Sequence, residues 1–389
     1  MSARSEGGSI PGGIEPPSLE RRGQRREASP MRSAIAVILA LCAVAASAPA
    51  AAPTGSEDCR GPAALTDFGS DGRIGAKWNG ATKTIAYGRT GASGHFHAFI
   101  ADVDGGNERR VAFAAWRDDR HQFPAAWHPG GEYLAMLVEK SEHERSSADA
   151  IPGYGAYTDY WLVSRDGLRA WKLYALPDGY DHAITHAAFS PDGTKFAWTE
   201  RVRAPRLFDL NLFAGAYVFK IADFVATPEP HLANTRAIVP GGVEQGGEVE
   251  AIAADNKTIA FYSTYVTKNL FASRIYTMNV DSGEIRELTS ESFAQAPTFT
   301  PDGKSIVYMT GAGADINFLQ LQGADWWIMN VDGSDKRRLT FMNQRGHSQS
   351  VDRFRLAGSL SFISDTAFFG DVMTRSLGLV GKIVRVDCR

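Results

Sequence analysis

Nine histidines stand in the 389-residue chain, and four of them fall at one place in a repeated pattern. His121 lies six residues before Trp127, His182 seven before Phe189, and His347 seven before Phe354, while His186 is closer still to Phe189. Imidazoles that converge from separate repeats can hold a divalent metal. The plainer account of a linker histidine is a ring hydrogen-bonded to backbone. No second histidine stands beside His347, and no arginine or lysine marks itself as a base. His121, His182, His186 and His347 are therefore candidate binding residues. No catalytic residue and no resident cofactor is assigned, a divalent metal being the one cofactor these side chains would take.

Other chemistry is weaker. "HFH" at 95–97 puts two imidazoles on one strand face, the pattern of a surface strand. "DVDGGNE" (102–108) spaces carboxylates a little like a calcium loop but lacks the later ligands. No G-x-S-x-G occurs, so a hydrolase's nucleophile elbow is missing.

The elements that must position the histidines repeat. "WNGATKTIAY" begins at Trp78, "WHPGGEYLAM" at Trp127, "FSPDGTKFAW" at Phe189, "IAADNKTIAF" at Ile252 and "FTPDGKSIVY" at Phe299. A sixth, "FRLAGSLSFI" from Phe354, fits with one turn residue deleted. Each is a strand end, a tight turn and an apolar strand. Pro191 or Pro301 presets φ, an Asp follows, and Gly193 or Gly303 takes the left-handed conformation that closes the hairpin. A second hairpin follows each first one, built on Asp-Gly or Asp-Ser-Gly, as in "IYTMNVDSGEIRELT" (275–289) and "WWIMNVDGSDKRRLT" (326–340). In the third repeat "AYVFKIADF" and "RAIVP" are strands joined by a longer loop. Four strands, a to d, recur without a helix between them, which predicts an all-β fold: a six-bladed β-propeller of four-stranded antiparallel blades.

"PTFTPDGKSIVYMT…DWWIMNVDGSDKRRLT" resembles the TolB-type, or WD40-like, propeller repeat over most of residues 60–389. The small α/β domain that precedes the propeller in TolB is absent, so the resemblance implies the fold and not TolB's role in an envelope complex. "NQRGHSQS" (343–350) resembles the metal-site segment of oligogalacturonate lyases, related propellers with a His-rich metal site on this face.

The last repeat stops at "IVRVDC", which aligns with strand c, so a strand d is missing. Ala64-Leu65-Thr66 matches Arg338-Leu339-Thr340, and residues 60–67 are expected to add as the outer strand of the last blade. That places Cys59 and Cys388 at the two cut ends of one hairpin, where they are expected to pair in an oxidising compartment.

Export is expected from "MRSAIAVILALCAVAASAPAAAP": Arg32, an apolar run from Ala34 to Ala46, and small residues suited to cleavage near Ala50 or Ala52. Leu41 before Cys42 argues against a lipoprotein. Residues 1–50 thus read as a polar extension plus secretory signal, with Met31 a second candidate start, and 59–389 as the propeller. Without residues 1–50 the chain carries 35 Lys+Arg and 40 Asp+Glu, a net −5, with no basic stripe for nucleic acid and no further run that spans a bilayer.

Turns a–b and c–d lie on one face of such a disc, and b–c loops and d–a links on the other. The second face carries the insertions 139–159, 199–213, 310–325 and 364–380, with Tyr154, Tyr157, Phe208, Phe213, Phe318, Phe368 and Phe369, which mainly pack the loops onto the disc. The expected function is an exported, non-catalytic binding scaffold that takes a protein or saccharide ligand on this face. The alternative is a metal-dependent saccharide lyase or hydrolase at a His-lined channel mouth.

Overall fold

The computed structural model describes residues 63–388, except 70–71, 144–146, 205–214, 243, 245, 292, 319–320, 351–353 and 376–378. The signal segment, Cys59, Phe208 and Phe213 lie outside the described residues.

Among the described residues, twenty-six strands form six four-stranded antiparallel sheets and one small hairpin. β1 (Ala64–Asp67) comes first in the chain and belongs to the last blade. Blade 1 is β2 (Arg73–Asn79), β3 (Thr84–Thr90), β4 (Phe96–Asp102) and β5 (Arg109–Arg110). Blade 2 is β6 (Gln122–Trp127), β7 (Tyr133–Glu139), β8 (Thr158–Ser164) and β9 (Ala170–Tyr174). Blade 3 is β10 (Ala183–Phe189), β11 (Lys195–Arg203), β12 (Ala216–Val225) and β13 (His231–Ile238). Blade 4 is β14 (Gly247–Ile252), β15 (Thr258–Ser263), β16 (Arg274–Asn279) and β17 (Ile285–Glu287). Blade 5 begins with β18 (Ala294–Phe299) and β19 (Ser305–Thr310). A side hairpin of β20 (Asn317–Phe318) and β21 (Leu321–Gln322) interrupts it before β22 (Asp325–Asn330) and β23 (Arg337–Arg338). Blade 6 is β24 (Arg355–Ser364), β25 (Ala367–Arg375) and β26 (Leu379–Asp387), completed by β1 with Ala64 opposite Asp387 and Asp67 opposite Val384.

The a–b turns form as their residues dictate. Ser190 Oγ donates to Asp192 Oδ1 at 2.7 Å, and the same oxygen accepts the Thr194 N–H at 2.9 Å, while Gly193 sits at φ +76°. Thr300, Asp302 and Gly303 repeat this arrangement, and Asn256 takes the left-handed position at φ +58°. Every buried cluster straddles one interface between neighbouring blades. Phe123, Leu137 and Tyr160 of blade 2, for example, pack on Phe189, Phe196 and Trp198 of blade 3. The sixth cluster joins Phe369 and Ile383 of blade 6 to Ile85 and Tyr87 of blade 1 and so closes the ring.

Three details correct the sequence reading. The sixth repeat is offset by one strand: residues 355–364 form one continuous strand and its turn falls at 365–366, because Leu356-Ala357-Gly358 lacks the Pro-Asp-Gly chemistry that ends a strand. Phe368 and Phe369, expected in a loop, are consequently buried in β25. In blade 3 the outer strand starts at His231, so only residues 226–230 join it to β12.

Candidate functional site

The innermost strand of every blade carries a register slip one to three residues before its end or near its middle. It lies between Ile74 and Lys77, Pro124 and Ala126, Ile184 and Ala187, Val249 and Ala251, Gln295 and Thr298, and Ala357 and Leu360. A bulge re-aims the side chain at the inserted residue. In blades 1, 2 and 5 the inserted residues are Gly75-Ala76, Ala125 and Ala296-Pro297. Blades 3 and 4 insert Thr185-His186 and Glu250 instead.

His186 reaches across the ring. Its Nε2 lies 2.9 Å from Ser359 Oγ of blade 6, the blade diametrically opposite in a ring of six, so the contact crosses the central channel. Its Nδ1 lies 3.0 Å from Glu248 Oε2, and its Nε2 lies 3.7 Å from Glu250 Oε2. Tyr262 donates its hydroxyl to Glu248 Oε2 at 2.7 Å. Glu248 Oε1 and His186 Nδ1 are buried without an aligned hydrogen-bond partner, the imidazole–carboxylate approach at Nδ1 being a charge contact. Glu250 accepts no hydrogen bond from any described residue. The ring of His186 remains 28% exposed, so the group is open on the channel side.

Burial works against charge on each member, and the neighbours decide the outcome. Burial would lower His186, but Glu250 and Glu248 outweigh it and raise the imidazole to about 9. Burial would raise Glu248, but His186, Thr185 and Tyr262 hold it down at about 2. Glu250 has no such support: burial, with the charge of Glu248, pushes it up to about 7 despite His186 and Lys77. Asp371 of β25 completes the set. Burial raises it to about 6, opposed by Lys77 and by the Gly75 N–H, which it accepts at 2.9 Å. The site therefore holds an imidazolium against a carboxylate, beside a carboxyl that takes or gives a proton near neutral pH, with the Lys77 ammonium in range of His186, Glu250 and Asp371.

The structure does not gather the four histidines named from sequence into one donor cluster. His121 belongs to a separate group with His95 and Glu139. Its Nδ1 accepts the Phe96 N–H at 3.0 Å, and its Nε2 donates to the Ser147 carbonyl at 3.1 Å, so both ring nitrogens are engaged by backbone. Glu139 is likewise taken, by the His121 N–H at 3.0 Å and the Ser147 hydroxyl at 2.6 Å. His347 stacks on Phe341 with ring centroids 4.6 Å apart and accepts the Gln349 N–H at 3.2 Å. His182 is partly buried in the link before β10, its Nδ1 without an aligned partner. The "HFH" pair is not at the surface: His97 is buried and lies 2.9 Å from Arg110 Nη2. "DVDGGNE" is a turn in which Asp102 accepts from Asn107 at 2.7 Å. Sequence reasoning missed Glu248, Glu250, Ser359, Lys77 and Asp371. "GEVEAI" does carry a signal, two glutamates inside an innermost strand whose counterparts are mostly small or apolar.

No family model matches this sequence, and no curated protein matches it. Solved structures that share the fold include the following two. A protein described as TolB from Agrobacterium tumefaciens superposes with a TM-score of 0.50 at 12% identity, over 83% of this chain and 96% of that one. An oligogalacturonate lyase in complex with manganese also gives 0.50 at 12% identity, over 87% of this chain and 95% of that one. The chain thus has the fold of a six-bladed TolB-like β-propeller, and a shared fold does not choose between a binding protein and an enzyme. No helix among the described residues is long and apolar enough to cross a membrane.

Proposed function

We propose that this propeller is an exported, non-catalytic binding scaffold. Its ligand, a protein or a saccharide, docks at the channel mouth on the face of the b–c loops and d–a links. The observation that carries this reading is the open charged group across the channel: a partly exposed imidazolium at His186 and a Glu250 carboxyl that accepts no hydrogen bond from any described residue. Polar side chains left unsatisfied at a concave opening on a rigid scaffold are groups a ligand can satisfy. Export rests on the signal-like segment 31–52, and closure by a Cys59–Cys388 bridge on the register of β1 against β26, which leaves Cys388 just beyond the pair Ala64–Asp387.

The test is site-specific photocrosslinking in an envelope extract. A photoreactive residue at Ser359, in the channel, should capture one species reproducibly. The same residue at Lys257, in an a–b turn on the other face, should not. Equal capture from both positions, or capture from neither, overturns the proposal. The alternative, a metal-dependent saccharide enzyme, is favoured by one observation, the Glu250 carboxyl poised near neutrality for proton transfer. Metal-dependent cleavage of acidic oligosaccharides, lost in Glu250→Gln, would establish it in place of the scaffold.

A further inference from the structure

We propose that His186, Glu248 and Glu250 form a divalent-cation site inside the channel, built on the inner strands of blades 3 and 4 and distinct from the d–a linker histidines. The inference goes beyond the scaffold reading and stands whether or not a partner docks at the mouth.

The geometry carries it. Each of the three side chains offers a donor atom within 4.8 Å of the others. An ion with bonds of about 2.1 Å places adjacent donors roughly 3 Å apart and opposite donors roughly 4.2 Å apart. The 3.0 Å approach of His186 Nδ1 to Glu248 Oε2 has the spacing of adjacent ligands, and the 4.8 Å outer limit exceeds the opposite-ligand spacing by about 0.6 Å. A second observation points the same way. Glu248 is 5% exposed, yet its Oε1 has no aligned hydrogen-bond partner. A buried carboxylate oxygen left open in this way costs free energy unless something fills the place.

The surroundings are arranged as a ligand shell requires. Ser359 Oγ, 2.9 Å from Nε2, fixes the ring with Nδ1 turned to Glu248 and Nε2 3.7 Å from Glu250 Oε2, and the Tyr262 hydroxyl at 2.7 Å orients Glu248. A ligating imidazole nitrogen must be free of its proton, so binding at Nδ1 releases any proton there to solvent. One nitrogen and two carboxylates suit Mn²⁺ or Zn²⁺ better than Ca²⁺, which prefers oxygen alone. Three protein donors leave positions open towards the channel. Lys77 opposes the ion: its ammonium acts on His186, Glu250 and Asp371 alike.

The experiment uses the full chain stripped with EDTA and titrated with MnCl₂, the free ion being read by its EPR signal. One ion should bind per chain. Glu250→Gln and Glu248→Gln should each weaken binding roughly tenfold or more, Lys77→Met should tighten it, and His347→Asn should leave it unchanged. Circular dichroism checks each fold; should Glu248→Gln fail it, Glu250→Gln and Lys77→Met carry the test between them. Three results would overturn the site: no uptake of Mn²⁺ or Zn²⁺ at millimolar concentration, uptake indifferent to both Glu250→Gln and Lys77→Met, or uptake abolished by His347→Asn.

Discussion

His121 gives the sharpest test of the burial argument, because both of its ring nitrogens have backbone partners. The residue is 4% exposed, and both ring nitrogens are engaged by backbone in the neutral tautomer, Nδ1 accepting and Nε2 donating. Protonation would add a charge under blade 2 and remove the acceptor that holds the Phe96 N–H. Burial, with the nearby His95, lowers its pKa from 6.5 to about 4. The unfolded chain therefore binds more protons at His121 than the folded one between those values, and stability rises with pH there. Its contribution is complete above about pH 6.5 and is lost as pH falls through 4. At about 1.4 kcal/mol per unit, the full swing is about 3 kcal/mol. Urea unfolding at pH 7, 6, 5 and 4 should show the native protein losing about 3 kcal/mol more than His121→Asn over this interval, although the variant starts from lower stability. Asn keeps an acceptor near Nδ1 but cannot be protonated there. Parallel pH profiles for the two proteins would refute the assignment of a buried neutral imidazole.

Other outcomes follow from the same structure. Glu250→Gln should stabilise the metal-free protein at pH 8. A buried carboxyl raised to about 7 favours the folded state below its unfolded pKa and loses that contribution as pH rises through 7, so the advantage of Gln, read as Tm, should shrink towards pH 5. Cys388→Ser should cost about 2–4 kcal/mol if Cys59 and Cys388 are bridged, and non-reducing peptide mapping should recover the two as one linked pair; free thiols at both would remove the bridge. N-terminal sequencing of exported protein should begin after Ala50 or Ala52, and a chain starting at Met1 or Met31 would exclude cleavage there. Trp326→Ala, which empties a fully buried site between blades 5 and 6, should destabilise by about 3–5 kcal/mol in chemical denaturation.

Where the chain carries strong local chemistry, the sequence was sufficient. The Pro-Asp-Gly turns at 191–193 and 301–303 sit where read, and the closing strand Ala64–Asp67 pairs with the tail as its likeness to residues 338–340 implied. The reading slipped at blade 6, where Gly358 resembled a turn glycine but lies inside a strand, in close approach to Asp371. The channel group was least legible. Spacing from Trp127, Phe189 and Phe354 placed histidines in links, but it could not show that His121 would be enclosed by backbone or that His347 would stack on Phe341. Nor could it join His186 to Ser359, 173 residues away, since that contact depends on ring size and on a bulge in each of two strands.

The distribution of those bulges bears on why the charges are there at all. Each interface between blades is held by its own apolar cluster, so the ring needs no ion pair at its centre. Blades 1, 2 and 5 show that Gly, Ala and Pro serve at the inserted position without loss of the blade. Placing His186 and Glu250 there brings desolvation that their mutual attraction offsets only in part, as the upward shift of Glu250 records. A buried pair replaced by apolar groups of like shape is commonly neutral or more stable. The scaffold alone therefore does not account for the channel group, and a ligand or ion that completes its coordination does.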